Sequence, residues 1–440
     1  MKPPSTHETL GRIQRFESPN ITQLDEGERW PVAWERARGC DVWDAEGTRY
    51  LDLTAAFGVA AAGHANPRVV AAGRRQMGRL LHGMGDVHPH GTKGLLLEEL
   101  SRRTFGRWLH GGEARSILAC TGSDAVEAAL KTALLATGRR RVIALEGGYH
   151  GTGYGALNAT HREHFKRQFI AQLGGFASFA PWPGEAMGDP ADMAARVARV
   201  LDAAAAGEPV GAVLMEPVQA RGGIRVPAPG FLAAVRAWCD RRGALLVLDE
   251  IYTGFGRAGR WFACDREGVV PDVVCVGKAL SGGFPIAACV GRSDLMTEAW
   301  PKSDGEAIHT STFLGHPVGC AMALAQMREI EERGLVERAD VEGRWLRTRL
   351  EEMSGAHGHH VLRAVGVGLM AGIEVRTRDG LPAGGIVVRV VQRLAREGIL
   401  VLPEGADAEV LSLTPPLTIP RRRLSRALES IGRALREACA

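Results

Sequence analysis

Two charged residues stand at the ends of runs apolar enough to be buried strands. Lys278 follows "DVVCVG" (272–277), and Asp249 falls at the end of "ALLVLDE" (244–250). An unpartnered charge in an apolar interior is costly, so each predicts a cleft at a strand end or a partner of opposite charge. Burial also lowers the pKa of a lysine and makes it a nucleophile for carbonyls. The two lie 29 residues apart, room for one crossover between parallel strands.

Other strand ends carry complementary chemistry. After "RSILAC" come Gly122 and Ser123, opening a helical pattern. Free N–H groups at a helix start favour a phosphate, although Ser or Asp there is more often a simple N-cap. After "RVIALE" come Tyr149 and His150 between glycines. That pair reads equally as a stacking platform for a planar ring or as core. A ligand with an aldehyde for Lys278, a pyridine nitrogen for Asp249 and a phosphate for the Gly-Ser turn satisfies all three features. Pyridoxal 5'-phosphate has these parts, and its pyridinium would be the partner of the aspartate.

The elements that must position these residues follow from pattern. "RSILAC", "RVIALE", "VGAVLME", "ALLVLDE" and "DVVCVG" are short, Val/Ile/Leu-rich and separated by helical stretches, which predicts an α/β fold with a mostly parallel central sheet. "CDVWDAEGTRYLDLTAAFG" (40–58) alternates around a turn and predicts an antiparallel hairpin. After about residue 325 come one long charged helix, the strand-like "GLMAGIEV" and a further helix. The expected division is a large domain over 66–325, with 1–65 and 326–440 combining into a smaller α+β domain.

Composition excludes several function classes. The 440-residue chain carries a net charge of only +4, and its basic residues are scattered, Arg38 and Arg139 to Arg141 reading as solvated surface. Neither nucleic acid nor a membrane is expected as a partner. The eight cysteines form no CxxC pair and read as buried thiols, and no metal is expected. "MKPPSTHETLGRIQRF" lacks the apolar core of a signal peptide, and no apolar run would span a bilayer. A cytoplasmic protein is the expectation.

Six segments together, "TGSDAVEAALK", "GGYHG", "MEPVQARGG", "LDEIYTGFGRAG", "PDVVCVGKALSGGFPIAA" and "HTSTFLGHP", resemble the class III aminotransferases, of fold type I among pyridoxal-phosphate enzymes. The resemblance runs over almost the whole chain. It implies that Lys278 forms the Schiff base with the cofactor and then moves the substrate proton, and that Asp249 pairs with the ring nitrogen. It implies Tyr149 and Ile251 on the two faces of the ring, Gly122 and Ser123 on the phosphate, and Glu216 and His150 close by. It further implies a homodimer with shared sites, Thr312 reaching the phosphate of the neighbouring subunit.

Three departures bear on substrate. Thr152 stands where relatives handling α-carboxylates often have arginine. Arg221, in "QARGG", replaces a glutamate that often pairs with a mobile arginine near the C-terminus, and "LVLPEGADAEVLSLTPPL" holds no arginine. Arg221 either binds a substrate carboxylate or pairs with a nearby acid. Tyr252 stands where glutamine often bonds the ring's phenolic oxygen; its hydroxyl either replaces that bond or packs. Phe57, Trp182 and Phe313 are candidate pocket walls. The implied reaction is ping-pong transfer from an ω-amino acid or amine (4-aminobutyrate, β-alanine, lysine or a diamine) to an oxo-acid such as pyruvate or 2-oxoglutarate. A racemase, epimerase or aminomutase on the same scaffold is the alternative, and a silent paralogue a more distant one.

Overall fold

The computed structural model describes residues 4–23, 31–183 and 190–440. An antiparallel meander comes first, β1 (Trp34–Arg38), β2 (Asp41–Asp44) and β3 (Arg49–Asp52), the last two forming the predicted hairpin. The central sheet follows with β4 (Ala114–Ala119), β5 (Arg141–Leu145), β6 (Ala177–Ala180), β7 (Val210–Met215), β8 (Leu245–Asp249), β9 (Val273–Val276) and β10 (Ala287–Arg292). Its spatial order is β4-β10-β9-β8-β7-β5-β6. The run from β9 to β6 is parallel, and β10 is antiparallel to both its neighbours. Every residue of β7 and β9 is buried, which explains why these strands read as unbroken apolar runs.

Toward the C-terminus come β11 (Gly355–His357), β12 (His360–Val367), β13 (Met370–Thr377), β14 (Ile399–Leu400), β15 (Leu402–Glu404) and β16 (Val410–Leu413). Five of them make an antiparallel sheet in the order β11-β12-β13-β16-β15. β14 instead pairs in parallel with β3, Ile399 opposite Leu51, so the two ends of the chain share one sheet.

Three details differ from expectation. The long charged helix is two, Pro317–Glu332 and Leu335–Glu352, because Gly334 takes a left-handed φ of 55°. β12, which pairs with β13 along its full length, was not anticipated; its sequence "HVLRAVGV" mixes exposed and buried positions irregularly. Arg139 is no solvated arginine: its Nη1 donates to the carbonyls of Val210, Arg242 and Gly243, covering the end of the helix Phe231–Arg242.

The helix that matters most is Gly122–Thr137. Thr121 caps it by accepting the Asp124 N–H, and Asp124 accepts the Thr121 N–H in return. This fixes the first turn at the carboxyl end of β4.

Candidate active site

The carboxyl ends of adjacent parallel strands bring the chemistry together. In sheet order, β9 delivers Lys278, β8 Asp249, β7 Glu216 and β5 Tyr149 and His150, while the turn after β4 adds Gly122 and Ser123. All of these, with Ile251, Thr152, Arg221 and Tyr252, line one cavity of about 330 Å³.

Lys278 leaves its strand with a positive φ of 42°, uncommon for a side chain with a Cβ. The turn aims the amine into the cavity, where Nζ lies 3.7 Å from the centre of the Tyr252 ring. Burial lowers the pKa of this lysine to about 8, although the negative charges of Asp249, Glu216 and Glu404 oppose the shift. Tyr252 is held from behind, its hydroxyl sharing a hydrogen bond of 3.3 Å with Thr414 Oγ1.

Asp249 is buried and oriented by two hydrogen bonds. Oδ1 accepts the Ile251 N–H at 3.1 Å, and Oδ2 lies 2.8 Å from His150 Nδ1. Burial works against charge on His150, but the bond to Asp249 and the charges of Asp249 and Glu216 outweigh it and raise its pKa. His150 Nε2 is buried with no partner. Glu216 accepts the backbone N–H groups of Tyr149 and Ala220, both at 3.1 Å, and burial pushes its pKa up to about 7. Glu216 thereby fixes the loop that presents Tyr149.

At the opposite end the backbone approaches closely. A Cβ on Gly122 would stand 2.8 Å from Ile251 Cδ1, and one on Gly151, whose φ is +120°, would stand 2.6 Å from Ser123 Oγ. These glycines leave a concave cradle at the start of the helix Gly122–Thr137, where orphan N–H groups face the cavity.

The donor set fits one ligand. The helix start suits a phosphate, the buried carboxylate a protonated ring nitrogen, and the buried amine a carbonyl. Tyr149 and Ile251 supply a ring and a branched aliphatic side chain for a flat ring between them.

The sequence pattern described as "Aminotransferase class-III" matches residues 23–435, nearly the whole chain. The chain belongs to the class III aminotransferases. It is 34% identical to a 2-aminoadipate transaminase of Pseudomonas putida, over 92% of this chain and 96% of the relative. It is 32% identical to a 4-aminobutyrate aminotransferase of Escherichia coli, over 94% and 95%. Among solved structures, a thermostable (S)-enantioselective omega-transaminase from Thermomicrobium roseum matches with a TM-score of 0.89 at 26% identity, each chain covered in full. This class III aminotransferase is therefore a transaminase of the pyridoxal-phosphate fold, and its cofactor is pyridoxal 5'-phosphate. These transaminase relatives do not favour the racemase, epimerase or aminomutase alternative.

The remaining expected residues sit elsewhere. Thr312 and Phe313 are exposed and line no part of this cavity; the Phe313 ring lies tilted against His82, centres 5.2 Å apart. Trp182 is not a wall of this cavity, because it packs against Phe231 at 6.1 Å beside the core. Phe57 faces an outer cavity of about 850 Å³ that adjoins the first one through Arg221. It is presented by a turn in which Ala55, Ala56 and Phe57 all have positive φ, each costing on the order of 1–3 kcal/mol.

Two residues near the site carried no sequence signal of their own. Glu404 is buried at the end of β15, and burial raises its pKa against the pull of Arg221, Lys278 and Arg162. Arg162 lines the outer cavity with Arg221.

Proposed function

We propose that this transaminase takes an ω-amino acid or amine as donor and an oxo-acid such as pyruvate or 2-oxoglutarate as acceptor, in a ping-pong cycle. One observation carries the reading. Arg221 is the single guanidinium lining the catalytic cavity among the described residues. Its Cζ lies 5.1 Å from the Tyr149 ring centre, its Nε has no hydrogen-bond partner, and it forms no ion pair among the described residues. An unpaired guanidinium suits a carboxylate by bidentate hydrogen bonding. The position after His150 and Gly151 carries Thr152, so no second cation stands there for an α-carboxylate. The name of the 4-aminobutyrate relative places an amino acid whose carboxylate lies far from its amine within the family's range.

Bound in the cavity, pyridoxal phosphate supplies an aldehyde that condenses with amines and a ring that draws electrons from the carbon next to the nitrogen. Lys278 is the residue to which it attaches. The Lys278 amine would hold the migrating proton, and its lowered pKa keeps a usable fraction neutral near pH 8. Asp249, steadied by His150 and the Ile251 N–H, keeps the ring nitrogen protonated. Tyr149 and Ile251 would lie on the two faces of the ring, and Gly122 and Ser123 would hold the phosphate.

The same reading makes the active unit a cytoplasmic homodimer in which Thr312 serves the neighbouring phosphate site. It is supported by exposed apolar side chains in two segments near that residue: Leu81, Met84, Ile308 and Phe313 are all exposed, and the Thr310 hydroxyl joins the segments by donating to Asp86 at 2.6 Å. Among the described residues no helix is long and apolar enough to cross a membrane. The division into a large domain over 66–325 and a small one from both ends accompanies this reading, with the β3–β14 pairing as its support.

Replacing Arg221 by alanine tests the donor and acceptor assignment. The expected outcome is a rise of roughly tenfold or more in the KM of carboxylate-bearing substrates, with kcat little changed and putrescine unaffected. Unchanged constants for both donor and oxo-acid would end the assignment.

A further inference from the structure

Arg221 stands at the junction of two cavities, and the outer one contains a second guanidinium. Arg162 and Arg221 flank the same aromatic side chain: their Cζ atoms lie 5.4 and 5.7 Å from the Phe165 ring centre. Arg162 is anchored by one bond, Nη2 donating to the Ala406 carbonyl at 3.2 Å. It makes no ion pair among the described residues, nor does Arg221. Two like charges held this close raise each other's energy unless an anion sits between or beside them.

The acids nearby do not serve as that anion. Glu404 at the end of β15 acts on both arginines, and Asp407 and Glu409 of the β15–β16 connection act on Arg162, but none of the three lines either cavity or forms an ion pair with Arg162 or Arg221 among the described residues. Glu409 accepts the Asp407 N–H at 3.0 Å. Glu17 lines the outer cavity, but its carboxylate accepts the Thr22 N–H at 3.0 Å. These charges offset the pair without an ion pair to either guanidinium among the described residues, and they leave Arg221 and the part of the Arg162 fork not bonded to Ala406 for a ligand.

We propose that Arg162 is a specificity-determining residue, binding a second carboxylate of a dicarboxylic substrate whose first carboxylate is held by Arg221. The inference rests on the reading that Arg221 meets substrate, and it names the acceptor class: a dicarboxylic oxo-acid of about five carbons is preferred to a monocarboxylic one. The alkyl chain between the carboxylates runs from the catalytic cavity into the outer one, past the rings of Phe165 and Phe57, which line its path.

Inhibition of the holoenzyme by glutarate and by butyrate tests this. Neither acid has a carbonyl or an amine to react, and they differ by one carboxylate. Glutarate is expected to bind roughly 10- to 100-fold more tightly than butyrate. Arg162→Ala should erase that difference by weakening glutarate alone, and Arg162→Lys should restore part of it. In turnover, Arg162→Ala should raise the KM for 2-oxoglutarate while leaving its kcat and the KM for pyruvate unchanged. Equal binding of the two acids by the wild type would overturn the proposal, and this needs no variant to fold. So would equal weakening of both acids by Arg162→Ala. A failure of the Arg221 reading shows separately, as butyrate binding that Arg221→Ala leaves untouched.

Discussion

Replacing Lys278 by alanine is expected to lower transamination by roughly 10⁴-fold, with the cofactor still bound through its phosphate and ring contacts. No neighbouring group can substitute: those acting on the amine are the Tyr252 ring, the carboxylates of Asp249, Glu216 and Glu404 and the Arg221 guanidinium, and no second lysine is among them. The same buried amine costs stability. Its pKa is 10.5 in the unfolded chain and about 8 in the fold, so the fold disfavours the charged form. The penalty is on the order of 3 kcal/mol and is full below pH 8, where both states are charged. It shrinks between pH 8 and 10.5 and vanishes above. Lys278→Met in the cofactor-free protein should therefore melt at a higher temperature than the wild type at pH 7, with the gap closing at alkaline pH. Wild-type apoprotein should regain yellow colour with pyridoxal phosphate faster as pH rises through about 8. A reconstitution rate that climbs only toward pH 10.5 would contradict the assigned environment of the amine.

Asp249→Asn is expected to reduce kcat by about 10²- to 10³-fold, the loss that follows from removing one partner of a buried charge pair. Asparagine retains an acceptor for the Ile251 N–H, so melting temperature should change little. The effect is thus separable from unfolding by comparing kcat with thermal stability on one preparation. Loss of the aspartate also removes the main support for charge on His150, whose Nδ1 contacts Oδ2 at 2.8 Å. His150→Asn, which leaves the carboxylate in place, should cost less than Asp249→Asn. The reverse order would mean that the histidine, not the aspartate, governs the ring nitrogen.

The gathering of Lys278, Asp249, Glu216 and Tyr149 was legible in the sequence for a simple reason. Asp249 ends an apolar strand, Glu216 and Lys278 come just after one and Tyr149 a short turn beyond one, and in a parallel sheet consecutive strand ends lie on one edge. Gly122 was legible because it opens a capped helix after such a strand. Arg162 and Glu404 were not. Arg162 meets the β15–β16 connection through the carbonyl of Ala406, 244 residues away, and nothing local in either segment signals that contact. Trp182 misled for a related reason. It follows β6, but β6 is the outermost strand of the sheet, farthest from Lys278, so its connection leads to the core beside Phe231. The break at Gly334 was hidden by helix-forming neighbours, since a single glycine ends a helix only when the chain is required to turn there.

The most direct test of the whole account is a single-turnover absorbance measurement on the yellow holoenzyme without any oxo-acid. Wild-type enzyme would be mixed in turn with 4-aminobutyrate, β-alanine, lysine, putrescine and alanine. At least one ω-amino donor is expected to bleach the yellow band and leave the amino form of the cofactor, with alanine doing so more slowly. A yellow band that persists with every ω-amino donor, while alanine exchanges its α-hydrogen with deuterated solvent, would contradict it.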